Sequence, residues 1–368
     1  MRVAFVHDYL TQFGGAERVL LELRKLYPDG PVFTSIYDPA PFDGAFDGVD
    51  VRTTFLQRWY GITHDFRALL PLYPRAFDSL DLRGFDLVIS STTAFAKGVR
   101  TRTDAVHVCY IHTPTRFLWY PEEYADDVTP LLLRPALACV RPWLRHWDRA
   151  AAQRPNFLVS NSHNVQQRVA SVYGRSSDVV HCPVLVEGFD RSPKVSDFFL
   201  VMTRLLPYKR VQLAIEACNE LGARLVIAGS GPDEPRLRRL AGPTIEFAGF
   251  VDDARRKQLV SGARALIVCG EEDFGLVPLE AAAAGRPTVA FAAGGALETV
   301  VEGATGLFFR EPQAQSLKQA LQALDETRFD PQLLRAHAER FSPQAFRSKF
   351  EALIDRYVNA SGRVAKAG

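Results

Sequence analysis

The sequence predicts an α/β fold made of two doubly wound, Rossmann-like domains that face a central cleft. A length of 368 residues favours two domains. Hydrophobic residues make up 47% of the chain, which is ample for two cores. Short β-rich runs alternate with helical patterns, as they do in parallel sheets. Because doubly wound sheets bind ligands at the carboxyl ends of their strands, we expect the functional residues there.

Ten β-rich runs predict the strands of the two sheets. The first half of the chain contains Val3–Val6, Val32–Ile36, Leu87–Ser90, Val106–Ile111 and Phe157–Ser160. The second half contains Phe198–Met202, Arg224–Ala228, Ile245–Ala248, Ala265–Val268 and Thr288–Phe291. Turn-forming residues over 183–197 predict a linker. We therefore assign 1–185 to an N-terminal domain and 186–345 to a C-terminal domain, and we expect a helix over about 346–368 to pack back on the N-terminal domain.

Composition and charge exclude several classes of protein. The formal net charge of +2 argues against a nucleic-acid partner. The five cysteines show no CxxC pairing and no clustering with histidine, so we expect buried thiols in a reducing compartment. The chain opens directly on a predicted strand, which argues against a signal peptide. No apolar run reaches the roughly 18 residues that span a bilayer. These features predict a cytoplasmic protein.

Two carboxylates, Glu272 and Glu280, are separated by seven residues. Glu272 follows an apolar run that predicts a buried strand, and Glu280 opens a run of alanines that predicts a helix. The segment 274–277 crosses between them, and its backbone N–H groups can bind an anion. A strand, an anion-binding turn and a carboxylate suited to sugar hydroxyls predict a site for a sugar nucleotide.

Two cations, Arg204 and Lys209, follow the predicted strand Phe198–Met202. Arginine can bind two phosphate oxygens at once, and lysine supplies a point charge, so the pair suits a pyrophosphate. The competing interpretation is a solvated basic loop. Their position after a strand favours the functional interpretation.

Five further residues predict ligand contacts near strand ends, and each has an ordinary structural alternative. Gly14 and Gly15 precede a helix, where a phosphate is favoured, although the loop lacks the GxGxxG pattern of dinucleotide sites. Gly229 and Phe250 follow two strands of the C-terminal domain, where Phe250 can cover a nucleobase, but turn formation explains both positions as well. His112 follows Val106–Ile111 and can bind a sugar hydroxyl or a leaving phosphate, although a lone histidine is more often structural.

The sequence predicts that the site uses no metal. No Asp-x-Asp motif occurs in the chain, so the usual carboxylate pair for Mg²⁺ or Mn²⁺ on a nucleotide-sugar is missing. Arg204, Lys209 and helix N-termini must then neutralise the leaving diphosphate.

Two basic-aromatic stretches, 52–75 and 131–154, stand out in the N-terminal domain. Arginines on one side of the second stretch and apolar residues on the other match an interfacial helix on an anionic membrane. Pro135 and Pro142 argue against one unbroken helix there. The alternative is that the apolar faces pack on the domain and the arginines are solvated. The presence of two such stretches favours a membrane-facing surface.

Taken in order, these motifs resemble the family-4 retaining glycosyltransferases, which have the glycosyltransferase B fold. The resemblance spans nearly the whole chain and is most specific in the C-terminal domain. It implies that Glu272 contacts the donor sugar, that Glu280 binds the nucleotide ribose, and that Arg204 and Lys209 hold the diphosphate. The remaining implied contacts are backbone N–H groups of Phe274, Gly275, Leu276 and Val277, a nucleotide contact near Gly229 and Phe250, a phosphate contact at Gly14 and Gly15, and a donor-sugar contact at His112.

Within that family, the segment 7–18 and the segment Tyr110-Ile111-His112-Thr113-Pro114 are similar to those of bacterial mannosyltransferases of O-antigen and capsule assembly. The resemblance implies GDP-mannose as the donor and a lipid-linked oligosaccharide as the acceptor. It implies a peripheral position on the inner face of the cell membrane. It also implies retention at the anomeric carbon by front-face attack, with the leaving diphosphate accepting the proton.

Other classes of protein stay open at this point. An enzyme with the same architecture can use a UDP-sugar as its donor. A sugar-nucleotide epimerase or a sugar phosphorylase can also have this architecture. A nicotinamide-dependent Rossmann enzyme is disfavoured by the missing GxGxxG pattern. A non-catalytic membrane adaptor is disfavoured because the carboxylate spacing and both cations are intact.

Overall fold

The computed structural model describes residues 1–121, 134–190 and 195–362, without the side chains of residues 67 and 134–137. The chain divides into two compact units. Unit 1 comprises Met1–Pro183 and Phe346–Gly368, and unit 2 comprises Val184–Ala345. Parts of three predicted segments, namely 131–133, 191–194 and 363–368, lie outside the described residues.

Unit 1 is built on a parallel sheet with the strand order β3-β2-β1-β4-β5-β6-β7. The strands are β1 Val3–His7, β2 Val32–Thr34, β3 Val51–Thr53, β4 Leu87–Thr92, β5 Val106–Ile111, β6 Phe157–Ser160 and β7 Asp178–Val179. Its helices are α1 Gly15–Arg24, α2 Leu56–Thr63, α3 Tyr73–Asp78, α4 Arg116–Trp119, α5 Arg134–Ala151 and α6 His163–Tyr173. The central strands β1, β4 and β5 are buried along their whole length, because helices cover both faces of such a sheet.

Unit 2 repeats the same winding with six strands in the order β10-β9-β8-β11-β12-β13. The strands are β8 Phe199–Met202, β9 Leu225–Ala228, β10 Ile245–Gly249, β11 Ala265–Val268, β12 Thr288–Phe291 and β13 Gly306–Phe309. The helices that follow are α7 Gln212–Leu221, α8 Glu234–Leu240, α9 Asp253–Gly262, α10 Leu276–Ala283, α11 Ala296–Thr299, α12 Ala314–Glu326 and α13 Pro331–Glu339.

The last helix, α14 Pro343–Ser361, packs in unit 1 from Phe346 onward. Phe346 lies edge-on to Tyr110 of β5, with the ring centroids 5.9 Å apart. Tyr357 stacks on Phe157 of β6 at 3.9 Å. These aromatic contacts attach the helix to the two strands.

Each sheet has one topological switch point, where the strand order reverses. In unit 1 it lies between β1 and β4, and in unit 2 it lies between β8 and β11. Doubly wound sheets bind their ligands outside the carboxyl ends of these strands. The predicted fold class is confirmed as two doubly wound parallel-sheet domains.

Three sequence predictions are wrong in detail. Glu280 does not open a helix, because α10 begins at Leu276 after Gly275, whose φ of 90° caps the helix. Pro278 is tolerated since its missing N–H lies in the first turn. The helix α5 runs unbroken through Pro142, and Leu144, two residues later, is buried. Four cysteines are buried as expected, but Cys139 is exposed on α5.

Candidate functional site

The switch point of unit 2 brings together two of the predicted site residues. Lys209 lies after β8 and Glu272 lies after β11, and their side chains form an ion pair. The Lys209 Nζ is 2.6 Å from both carboxylate oxygens of Glu272. The pair is partly buried, with side-chain exposures of 11% for Lys209 and 24% for Glu272. A cation and a carboxylate therefore occupy the place where this fold binds ligands.

Close backbone packing positions both side chains. A Cβ atom on Gly270 would lie 2.8 Å from the Cα of Lys209, so the end of β11 can approach the turn after β8 only as glycine. The carbonyl of Glu272 accepts a hydrogen bond of 2.8 Å from the N–H of Gly295. A Cβ on Gly295 would in turn lie 2.3 Å from the carbonyl oxygen of Phe274. Glycines thus fix the backbone on both sides of the ion pair.

Glu280 lies in the middle of α10 and is buried. Its carboxylate is 2.5 Å from Nη1 of Arg256, on α9, and the other amino group of Arg256 is 2.6 Å from Asp253. Burial lowers the pKa of Arg256, but the two carboxylates outweigh burial and hold that pKa above its usual value. The sequence did not predict that Arg256 pairs with Glu280, because the two residues are more than twenty positions apart in the chain.

The other predicted residues of unit 2 follow strand ends. Arg204, after β8, is exposed, and its guanidinium has no ion-pair partner in the described parts of the chain. Gly229 ends β9 with a φ of 133°, and a Cβ there would lie 1.9 Å from the carbonyl oxygen of Thr203. Phe250, after β10, is 85% exposed. The ring of Phe274 is buried instead, 5.9 Å from that of Phe341, so the segment Phe274–Val277 faces the core through its first side chain.

In unit 1, His112 follows β5 at the carboxyl edge of the sheet. Its Nε2 is 2.8 Å from the hydroxyl of Ser91, near the end of β4. Its backbone carbonyl accepts a hydrogen bond of 2.9 Å from the side-chain amide of Asn161, after β6. Residues from three neighbouring strands thus fix the position of His112. Its contact with a donor sugar stays a prediction.

The glycine loop before α1 is arranged around Glu17. The N–H of Gly14 donates a hydrogen bond of 2.8 Å to the carboxylate of Glu17. The other carboxylate oxygen of Glu17 is 3.6 Å from Nε2 of His7, and both side chains are almost fully buried. The N–H of Gly14 is therefore engaged within unit 1, and a phosphate contact at Gly14 and Gly15 stays a prediction.

Asp8 is buried at the carboxyl end of β1, next to the switch point of unit 1. Its carboxylate accepts hydrogen bonds of 2.6–2.9 Å from the four backbone N–H groups of residues 93–96. The hydroxyls of Thr92 and Thr93 donate at 2.9 and 3.0 Å. Burial raises the pKa of Asp8, but the charge of His7 and the donors from Ala96 and Thr93 outweigh burial and lower that pKa below its usual value.

A second buried carboxylate, Asp148 on α5, pairs with Lys97 at 2.6 Å. Asp148 also accepts hydrogen bonds of 2.8 Å from the hydroxyl of Thr115, the indole N–H of Trp119 and the hydroxyl of Tyr173. Since Thr115 lies three residues after His112, this polar cluster fixes the loop that leaves β5.

The two basic-aromatic stretches differ in structure. The first contains β3, α2 and α3, and on α2 the side chains of Trp59 and Ile62 are 53% and 77% exposed. The described part of the second contains α5, whose Leu144 is buried in the core of unit 1. Arg145 and Arg149 of α5 lie over the ring of Trp119, at 5.3 and 4.6 Å from its centroid.

On the apolar side of α5, Val140 and Trp147 also pack against that core, whereas Trp143 is 50% exposed. Among the described residues, no helix is both long and apolar enough to cross a membrane.

Comparison with known proteins identifies both domains. Residues 13–187 match the family model Glycosyltransferase Family 4, and residues 189–345 match the model Glycosyl transferases group 1. Both domains are of glycosyltransferase type. The second match covers Lys209, Glu272, Arg256 and Glu280, so the two ion pairs lie in the group 1 domain.

The similarity to curated relatives is partial. The chain is 33% identical to the glycogen synthase of Pseudomonas aeruginosa over 162 residues, which are 41% of this chain and 31% of that protein. It is 31% identical to the alpha-D-kanosaminyltransferase of Streptomyces kanamyceticus over 170 residues, 42% of each protein. The matched region spans less than half of either relative.

Solved structures share the fold along nearly the whole chain. HepE of Anabaena in complex with UDP has a TM-score of 0.72 and 18% identity, covering 97% of this chain and 100% of that one. Sucrose-phosphate synthase from Thermosynechococcus elongatus has a TM-score of 0.72 and 17% identity, covering 98% and 100%. These similarities confirm the glycosyltransferase B fold.

Proposed function

We propose that this chain is a retaining hexosyltransferase that moves mannose from GDP-mannose onto a lipid-linked oligosaccharide in cell-surface polysaccharide assembly. The observation that supports the donor site most strongly is the meeting of Lys209 and Glu272 at the switch point of the group 1 domain. A phosphate-binding cation and a carboxylate that can accept sugar hydroxyl hydrogen bonds lie 2.6 Å apart there.

In this proposal each charged group has one task. Arg204 and Lys209 neutralise the diphosphate as it leaves, which lowers the barrier by electrostatic stabilisation. Glu272 accepts hydrogen bonds from the donor sugar, and Glu280, held by Arg256, accepts them from the ribose. We assign His112, in the family 4 domain, a contact with the donor sugar. The acceptor is assigned to the family 4 domain as well.

The proposed chemistry is front-face transfer with retention. The acceptor hydroxyl forms its bond to the anomeric carbon on the side from which the diphosphate departs, and its proton passes to the diphosphate. Positioning and charge stabilisation then supply the catalysis. No divalent metal is assigned a role, since the chain lacks an Asp-x-Asp motif and provides cations instead.

A UDP-sugar is the second candidate donor. HepE of Anabaena, which shares the fold, was solved with UDP and with UDP-glucose. The choice of GDP-mannose rests on the resemblance of the segments 7–18 and 110–114 to mannosyltransferases. A single panel of donors separates the two candidates.

The test measures protection against thermal unfolding by GDP-mannose, UDP-glucose and NAD, followed by transfer assays with the protecting donor. A ligand at 100 times its Kd stabilises the native state by about 2.7 kcal/mol. We expect GDP-mannose to raise the unfolding midpoint most, NAD to leave it unchanged, and the product to keep the donor's anomeric configuration. Protection by UDP-glucose alone selects the second candidate. Protection by neither sugar nucleotide contradicts the proposal and favours the adaptor interpretation.

We also propose that unit 1 contacts an anionic membrane where the lipid-linked acceptor resides, through the predicted stretches 52–75 and 131–154. The exposed Trp59 and Ile62 of α2 support this for the first stretch, because they lie three residues apart and share a helix face. Arg58, also exposed, adds a cation beside them. Association of this kind makes the protein peripheral to the inner face of the membrane.

A further inference from the structure

The ion pair of Lys209 and Glu272 places two proposed ligand-binding groups in contact with each other. The ammonium of Lys209 lies at 2.6 Å from both oxygens of Glu272, a bidentate arrangement. A lysine ammonium has three N–H donors and a single charge. Full interaction with a diphosphate therefore draws the ammonium away from the carboxylate, or forces the phosphate oxygens close to a like charge.

The backbone favours return of the pair whenever the ligand leaves. Gly270 permits the turn that carries Lys209 to pack against the end of β11. Glu272 is held by the hydrogen bond from Gly295 to its carbonyl. Because backbone contacts fix the main chain of both residues, only the two side chains must be ordered when the pair forms.

We propose that Glu272 and the diphosphate of the nucleotide compete for Lys209, so that Glu272 weakens the binding of the free nucleoside diphosphate and promotes its release after transfer. This inference rests on the proposed function. While the hexose is attached, its hydroxyls donate hydrogen bonds to the Glu272 carboxylate and replace the ammonium. Once the hexose has been transferred, those donors are gone, and Glu272 draws Lys209 back from the diphosphate.

Because of this competition, replacing Glu272 should have the opposite effect on nucleotide affinity to replacing an ordinary binding residue. Removing the negative charge of Glu272 should tighten the binding of a nucleoside diphosphate, although it should abolish transfer. Arg204 forms no such pair in the described residues, so its contribution to binding the diphosphate should be the same with and without the charge of Glu272.

The experiment is calorimetric titration of GDP and of UDP into the full chain and into Glu272→Gln. We expect the nucleotide that binds to do so about two- to fivefold more tightly in the variant, since partly exposed ion pairs contribute free energies of that size. The preference for nucleotide-sugar over free nucleotide should fall by a similar factor. Glu272→Asp keeps the charge but shortens the reach to Lys209, and it should show part of the effect.

Two controls isolate the pair. Glu271→Gln removes the same charge from the preceding, exposed position and should leave the Kd unchanged. In a Lys209→Met background, Glu272→Gln should no longer tighten binding, because the cation in dispute is absent. Thermal unfolding of each variant verifies that it is folded.

Equal or weaker binding by both Glu272 variants overturns the inference and leaves the proposed function standing. The same tightening in Glu271→Gln, or its persistence without Lys209, also overturns it, because a general charge effect then explains the result. If neither nucleotide binds the unmodified chain, the proposed function fails and the inference fails with it.

Discussion

At the scale of single residues, Asp8 organises the carboxyl edge of unit 1 without being a predicted ligand residue. Its buried carboxylate is the anion to which the backbone N–H groups of residues 93–96 donate hydrogen bonds. Such a group stabilises the fold only while it is ionised. The structure therefore predicts that the stability of the fold around the loop after β4 depends on pH.

We expect Asp8→Asn to lower the free energy of unfolding at pH 7 by about 2–4 kcal/mol, because it removes a charged acceptor and leaves buried N–H groups poorly satisfied. The lowered pKa of Asp8 fixes the sign of the pH effect. Its stabilisation is present above the unfolded pKa and is lost as the pH falls through the folded pKa. Urea unfolding of both proteins between pH 7 and pH 3 should show the difference shrinking at the acid end.

Asp81→Asn is the matched control, since Asp81 is an exposed acid of the same unit that pairs with Arg83 at the surface. It should change the urea midpoint little, because surface ion pairs contribute little to stability. A difference between Asp8→Asn and the unmodified chain that stays constant down to pH 3 would contradict the assignment.

At the scale of secondary-structure elements, the sequence predicted eight strands within one residue of those observed at either end, while β2 ends two residues earlier and β4 two residues later than predicted. It missed β3, β7 and β13. All three lie at sheet edges, and β7 has only two residues. The strand β3, Val51–Thr53, has no buried face, so no hydrophobic pattern marks it.

The candidate site was predictable in its residue types but not in its pairing. The predicted strand ends identified Arg204, Lys209, Glu272 and His112 as candidates, because doubly wound sheets bind ligands at the carboxyl ends of their strands. The partners of Glu280 and Asp148 were not predictable. Arg256 and Lys97 come from distant parts of the chain, and only the packing of helices on the sheet brings them within hydrogen-bond distance.

At this scale, the proposal of a membrane contact depends on the exposed face of α2. We expect the full chain to bind vesicles that contain phosphatidylglycerol and to bind pure phosphatidylcholine vesicles weakly. The double variant Trp59→Ser, Ile62→Ser should lose at least about tenfold in vesicle affinity, because each side chain loses apolar burial in the bilayer interface. Vesicle flotation measures the bound fraction.

The control pair Leu240→Ser, Leu333→Ser removes two exposed apolar side chains from helices of unit 2. It should bind vesicles as the unmodified chain does. Equal vesicle binding by the Trp59 and Ile62 variant and the unmodified chain would exclude α2 as the contact and leave α5 as the remaining candidate.

At the scale of the whole molecule, the same winding is used twice, once in a family 4 domain and once in a group 1 domain. In both domains, polar side chains gather at the carboxyl ends of the central strands. In unit 1 they are Asp8 at the switch point and His112 after the neighbouring strand β5, and both are occupied by contacts within the unit. In unit 2 they are Lys209 and Glu272, which pair directly. The ion pair of unit 2 supports the proposed nucleotide site there.

The central claim, that the switch point of unit 2 binds a nucleoside diphosphate through Lys209, is tested most directly by calorimetric titration of GDP and UDP into three proteins. These are the unmodified chain, Lys209→Met and Lys318→Met, the last removing a lysine of α12 that pairs with Glu220 away from the strand ends. We expect one of the nucleotides to bind the unmodified chain and Lys318→Met equally, and to bind Lys209→Met about tenfold to a hundredfold more weakly, the effect of one charge-assisted hydrogen bond. Unchanged affinity in Lys209→Met would contradict the account.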